Sequence, residues 1–131
     1  IPRGVDIYSV DGPFFFGASE KAITAMEAIG SSTKIVIMRL NRVPVLDATG
    51  LYALEKVYEH LAARGVTLII SHGRAQPRSL MAKAGFIEKI GSANVVPDIE
   101  WALARCFELL GPDAKTRRTG GTQTIPLLKQ S

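Results

Sequence analysis

The sequence predicts an α/β fold built on a mostly parallel sheet, and three observations carry that prediction. Short apolar segments alternate with amphipathic ones along most of the chain. Two of the apolar segments, Ile35-Val36-Ile37-Met38 and Val66 to Ile70, are continuous runs, as a strand covered on both faces requires. The amphipathic segments close on glycines, Gly30, Gly65, Gly85 and Gly111, the residue that best tolerates the left-handed turn at a helix end. With 131 residues, 47% of them apolar and 21% charged, the chain suffices for one domain with its own core.

Taken in order, Val5 to Val10 reads as a strand and Asp11-Gly12 as a hairpin turn. Phe14-Phe15-Phe16 then returns as a second, antiparallel strand. Gly17-Ala18-Ser19 leads into a helix with Ile23, Met26 and Ile29 on one face. Lys34 to Leu40 is the first buried strand. From about Ala48 to Arg64, Leu51, Leu54, Tyr58 and Leu61 keep helical spacing. Val66 to Ile70 is the second buried strand, and Pro77 opens a short helix through Ala84, with Phe86 packing back on Met81. Asn94-Val95-Val96 forms a last short strand. Asp98 caps a final helix whose Ile99, Ala102, Leu103, Cys106, Phe107 and Leu110 make one apolar stripe, while Trp101 is expected to pack, part exposed. The expectation is a domain over residues 1–110, holding a central mixed sheet with an N-terminal β-hairpin and about four helices. Residues 111–131, rich in Thr, Gly, Lys and Arg, read as a flexible basic tail.

Charge and composition exclude several functions. The net charge of +4 is concentrated in that tail, where Lys115, Arg117, Arg118 and Lys129 face one acid, Asp113. The tail thus carries a net +3 and leaves the body nearly neutral, which argues against a nucleic-acid partner. The lone Cys106 has no internal disulfide partner and points to a reducing compartment. No apolar run approaches the roughly 18 residues of a membrane span. The start at Ile1-Pro2-Arg3 suggests a piece of a longer protein.

The most informative segment is Val43-Pro44-Val45-Leu46-Asp47-Ala48-Thr49-Gly50-Leu51, at the passage from a buried strand to a long helix. Asp47 can accept hydrogen bonds from the free N–H groups of the first turn, and Gly50 permits close approach. The Thr49 hydroxyl can cap the helix, bind an anion or carry a phosphate at the positive end of the helix dipole. A plain N-cap followed by a permissive glycine explains the same residues. Loops after the carboxyl ends of parallel strands gather on one side of such a sheet. Gly17, Ala18 and Ser19, Asn41 through Thr49, and Ser71, His72 and Gly73 are therefore expected to meet there.

The sequence holds no Walker loop, dinucleotide fingerprint, nucleophile elbow or zinc-spaced His/Cys cluster. No catalytic set, metal site or cofactor is expected. His60 reads as a boundary residue, Cys106 as core, and Glu55 with Glu59 as a solvated helix face.

Asp47-Ala48-Thr49-Gly50-Leu51, in this element order, resembles the signature of the STAS domain, found in anti-sigma factor antagonists and in the cytoplasmic tails of sulfate permease family (SulP, SLC26-like) anion transporters. The resemblance covers residues 4 to 110. In the antagonists the position of Thr49 is a serine phosphorylated by a partner kinase, and a hydroxyl residue usually stands at Ala48. The run from Val5 to Ala18, with Gly12-Pro13 before Phe14-Phe15-Phe16 and Gly17, is similar to the opening of bacterial sulfate-permease STAS domains. The resemblance therefore implies a non-enzymatic module on the cytoplasmic side of the plasma membrane, attached to the membrane domain of a transporter and supporting its assembly or regulation. A homodimer, a cytoplasmic regulatory protein, or a bound nucleotide or anion at Asp47 to Leu51 are further partners it implies. A free antagonist switched at Thr49 and a nucleotide-binding module are the alternatives.

Overall fold

Strand β1 (Val5–Asp11) leads through α1 (Ser19–Glu27) to β2 (Ile35–Arg42), and α2 (Ala48–Ala63) carries the chain on to β3 (Thr67–Ser71). Two short helices, α3 (Ala75–Lys83) and α4 (Phe86–Ile90), and a 3-10 turn at Ser92–Asn94 precede β4 (Val95–Val96). Helix α5 (Ile99–Leu110) and β5 (Gln123–Pro126) follow. The computed structural model of the protein describes residues 1–12, 19–111, 114 and 122–126.

The five strands form one sheet in the order β4-β3-β2-β1-β5, and every neighbouring pair is parallel. A right-handed crossover explains where the helices lie. Passing from β1 to β4 the chain moves steadily in one direction across the sheet, so α1 to α4 share one face. From β4 to β5 it returns the other way, and the same handedness then demands the opposite face for α5. The buried residues divide accordingly. Met26 of α1, Leu54 of α2, Met81 of α3 and Phe86 of α4 pack with Tyr8, Val36, Met38, Leu68 and Ile70. On the other face Ala102 and Cys106 of α5 pack with Val5, Ile7, Ile35, Ile37 and Ile69. The two sets alternate along each strand, as the pleat requires.

Local chemistry explains the helix ends. Asp98 accepts a hydrogen bond from the Trp101 N–H at 3.1 Å, the expected N-cap of α5. Pro77 sits in the first turn of α3, where its missing N–H costs nothing. Gly85, at φ +77°, separates α3 from α4 in the left-handed region, so what reads as one helix end in the sequence is a junction between two helices. There are accordingly five α-helices among the described residues. Arg64, at the end of α2, donates from Nη2 to the Ile29 carbonyl at 2.7 Å and ties α2 to the end of α1.

Two expectations are revised. The return strand of the hairpin, Phe14 to Phe16, lies outside the described residues, but the edge of β1 facing away from β2 is taken by β5, with Tyr8 to Asp11 opposite Gln123 to Pro126. That edge neighbour is parallel, not an antiparallel hairpin partner. Correspondingly, residues 123–126, expected within the flexible tail, are an ordered strand. Ile125 is 5% exposed in the same core as Tyr8 and Val10, so a short apolar Thr-Ile-Pro run can satisfy both the free backbone edge of β1 and the core beneath it. Trp101, expected to be part exposed, is 61% exposed on the outer side of α5, because Ala102 and Cys106 occupy the side turned to the sheet.

Two outcomes follow from this packing. Ile125→Ala should cost about 2 kcal/mol or more, through lost burial and a cavity under β5, measured by urea unfolding against wild type. Burial also pushes the Cys106 thiol from its ordinary 9.0 up to about 11. The unfolded thiol therefore releases its proton first as pH rises, and stability should fall between about pH 9 and 11. Thermal melts across that range check the sign, and a thiol reagent at pH 8 should modify Cys106 only in denaturant.

Candidate functional site

The segment from Leu46 to Leu51 starts α2 at the carboxyl end of the central strand. Asp47 is extended (φ −104°, ψ −179°), and its Oδ1 accepts from the Gly50 N–H at 2.8 Å. Its carbonyl takes the Leu51 N–H at 2.9 Å, the first full helical bond. Asp47 is therefore the N-cap, and Ala48, Thr49 and Gly50 form the first turn. Ala48 is exposed, Thr49 half-buried and Gly50 buried. No hydrogen bond occupies the Thr49 hydroxyl among the described residues. Val45, four residues before it in the chain, and Tyr52, one turn further along α2, are 42% and 57% exposed, with the Lys56 ammonium 5.0 Å from the Tyr52 ring centroid. The segment thus presents a half-buried threonine at a helix start whose dipole favours negative charge.

What holds this loop is a residue that the sequence reading did not single out. Gln76, in the first turn of α3, accepts from the Leu46 N–H through Oε1 at 2.7 Å and donates from Nε2 to the Leu46 carbonyl at 2.8 Å. One side-chain amide satisfies both backbone groups of the residue before the cap. Because the partners are 30 residues apart, no local pattern signals the pairing.

Of the neighbouring loops, Ser19 is the first residue of α1, while Gly17 and Ala18 lie outside the described residues. Ser71 and His72 do reach the carboxyl edge, where Ser71, Gly73 and Arg74 gather around Asn41 at the end of β2. The fully buried Ser71 donates from Oγ to Asn41 Oδ1 at 3.4 Å, and Arg74 Nε donates to the Asn41 carbonyl at 3.0 Å. Gly73 runs so close that a Cβ there would lie 2.8 Å from Asn41 Cα, at a φ of +64°; a side chain would meet both collision and strain. The His72 N–H is bound to the Val96 carbonyl at 2.9 Å. Burial first, and the Arg78 charge second, lower the His72 pKa from 6.5, so its imidazole is neutral at pH 7. Nothing here assembles a nucleophile with a base, and among the described residues no group of three or more His, Cys, Asp or Glu side chains gathers to hold a metal.

With this geometry in view, the family is clear. Residues 1–102 match the STAS domain model, and the chain belongs to the STAS domain family. It belongs to the branch carried by SulP-type sulfate transporters. A sulfate transporter family protein from Wolinella succinogenes superposes with a TM-score of 0.78 at 37% identity, over 84% of this chain and 90% of that one. The SulP transporter STAS domain from Vibrio cholerae gives 0.73 at 34%, over 84% and 86%. A putative sulfate transporter of Bacillus subtilis is 27% identical over 91 residues, 69% of this chain but only 17% of that protein. The chain thus spans about a sixth of the curated relatives it matches.

Gln76→Ala should leave two backbone groups of Leu46 without their partner and cost about 1–2 kcal/mol. Hydrogen exchange should show the Leu46 amide losing protection selectively, with the amides of β2 unchanged.

Proposed function

We propose that this chain is a regulatory and interaction domain of a secondary anion transporter of the sulfate type. In this reading it is non-enzymatic, lies on the cytoplasmic side of the membrane, and contacts the membrane domain of its parent through the surface around Thr49. The observation that carries the proposal is family membership joined to proportion: a domain of this branch accounts for about a sixth of the transporter-sized relatives. The geometry supports it. Thr49 is part exposed, its hydroxyl is uncommitted among the described residues, and the nearby chain positions Val45 and Tyr52 are exposed apolar side chains. Asp47 and Gln76 anchor the backbone, so a change at Thr49 alters the surface without unmaking the fold.

A phosphate on Thr49 would add roughly −1.5 to −2 charges. The helix dipole favours that charge and the neighbouring Asp47 carboxylate opposes it, so the net effect on stability stays within about 1 kcal/mol. The effect on a partner surface is much larger, because the local potential reverses sign.

In the full-length parent transporter, Thr49→Glu should change anion uptake or the association of the domain with the membrane part, and Thr49→Ala should behave differently. Both isolated domains should melt close to wild type. Wild-type uptake by both variants would reduce Asp47 to Leu51 to a helix cap.

A further inference from the structure

We propose that the protein carries a second, separate site: a recess for one small oxyanion, built by Arg39 and Arg42 on the sheet face that also bears α5. The recess has a volume of about 210 Å³ and is lined by Ser9, Arg39, Asn41, Arg42, Thr122 and Thr124. It lies across the sheet from the start of α2, and its argument does not rest on the proposed role of Thr49.

The register creates it. Thr124 of β5 pairs with Ser9 of β1, Ser9 with Arg39 of β2, and Arg39 with Ser71 of β3. These four residues form one transverse row, on the face that two residues earlier along β1, β2 and β3 carries Ile7, Ile37 and Ile69. A face that is apolar under α5 thus becomes polar one pleat further on from β5 to β3, with the apolar Val96 of β4 closing the row beside Ser71. The pairing then slips, Asp11 standing opposite Arg42, through an irregularity between Ser9 and Asp11. Strict alternation would send Asn41 and Arg42 to opposite faces, whereas both line this recess. Bulges re-aim side chains in this way.

One donor of this set is left without an internal acceptor among the described residues. Arg39 Nε is fully shielded from solvent and carries no hydrogen bond among the described residues, an unusual state for a guanidinium, since a buried unmatched donor is costly. No acid neutralises Arg39 among the described residues. Among the described residues Arg42 has only a loose contact with Asp11, 3.8 Å long, with side chains 71% and 46% exposed, which contributes little. Asn41 is held in place by Ser71, Gly73 and Arg74. Two guanidinium groups, three hydroxyls and an amide around one recess are a donor set for a tetrahedral oxyanion, with Arg39 able to make a planar two-point contact. The volume selects among anions: drug-sized ligands occupy roughly 300–1,000 Å³, so this space suits a free sulfate or phosphate ion and not a nucleotide.

The test is a ¹⁵N NMR titration of the chain with sodium sulfate and sodium phosphate, against sodium chloride at matched ionic strength. The expected result is saturable shifts of the Ser9, Arg39, Asn41 and Thr124 amides and of the Arg39 Nε–H resonance. Arg39→Met should weaken binding about tenfold or more, Arg39→Lys should retain part of it, and Thr49→Glu should leave it unchanged. Arg42→Gln, at an exposed position, provides a second variant whose folding is not at risk, and it should also weaken binding. Shifts that do not saturate, that chloride reproduces, or that centre on Ala48 to Gly50 would overturn the proposal. So would binding to phosphatidylglycerol vesicles when the free ions leave the spectrum unmoved, since the acceptor would then be a lipid headgroup.

Discussion

The structure depends on β2, which is hydrogen-bonded along both edges and covered on both faces. Ile35 through Met38 are each 2% exposed or less, so consecutive side chains enter opposite cores and no slip of register is tolerated. A one-residue slip would exchange the two sets and carry Arg39 toward α1 and α2. With β2 pinned between β1 and β3, the places of all the other elements follow from right-handed crossovers. The carboxyl end of this same strand supplies both the loop that opens α2 and the residues of the basic recess.

The two ends of interest are held by different physics. The start of α2 is a stiff scaffold made of directional polar contacts: Asp47 closes the first turn, and Gln76 clamps the residue before it. Such an arrangement fixes a backbone while leaving the intervening threonine unencumbered. A helix cap and the proposed docking surface are then compatible uses of one segment, because the cap uses the Asp47 carboxylate and backbone N–H groups and leaves the Thr49 side chain out of the cap. The recess on the other face is the opposite case. Its polar groups share one recess, and among the described residues no acid is paired with Arg39.

The outer side of α5 adds a different character. Trp101, Phe107 and Leu109 are 61%, 40% and 40% exposed, while the inner side is closed by Ala102 and Cys106. Small residues against the sheet bring this helix close to β3 and β4. The large side chains are consequently left on its flanks and outer surface, as geometry requires of a narrow apolar stripe.

The sequence by itself determined the alternation of elements, the two doubly buried strands, the N-caps at Asp47 and Asp98, and the family signature at Asp47 to Leu51. All of these are local: periodicity, capping chemistry and glycine placement act within a few residues. Only the tertiary structure decided that Gln123 to Pro126 completes the sheet beside β1, since that short run has no periodicity to distinguish it from a tail, and its stability comes from an edge more than 100 residues earlier. Only the tertiary structure brought Gln76 to Leu46, and Ser9, Arg39 and Thr124 into one row. In the sequence Arg39 is a single charge after an apolar run. It becomes part of a basic recess because parallel strands place residues 30 and 85 positions away at the same level of the sheet, a relation that register sets and no local pattern encodes.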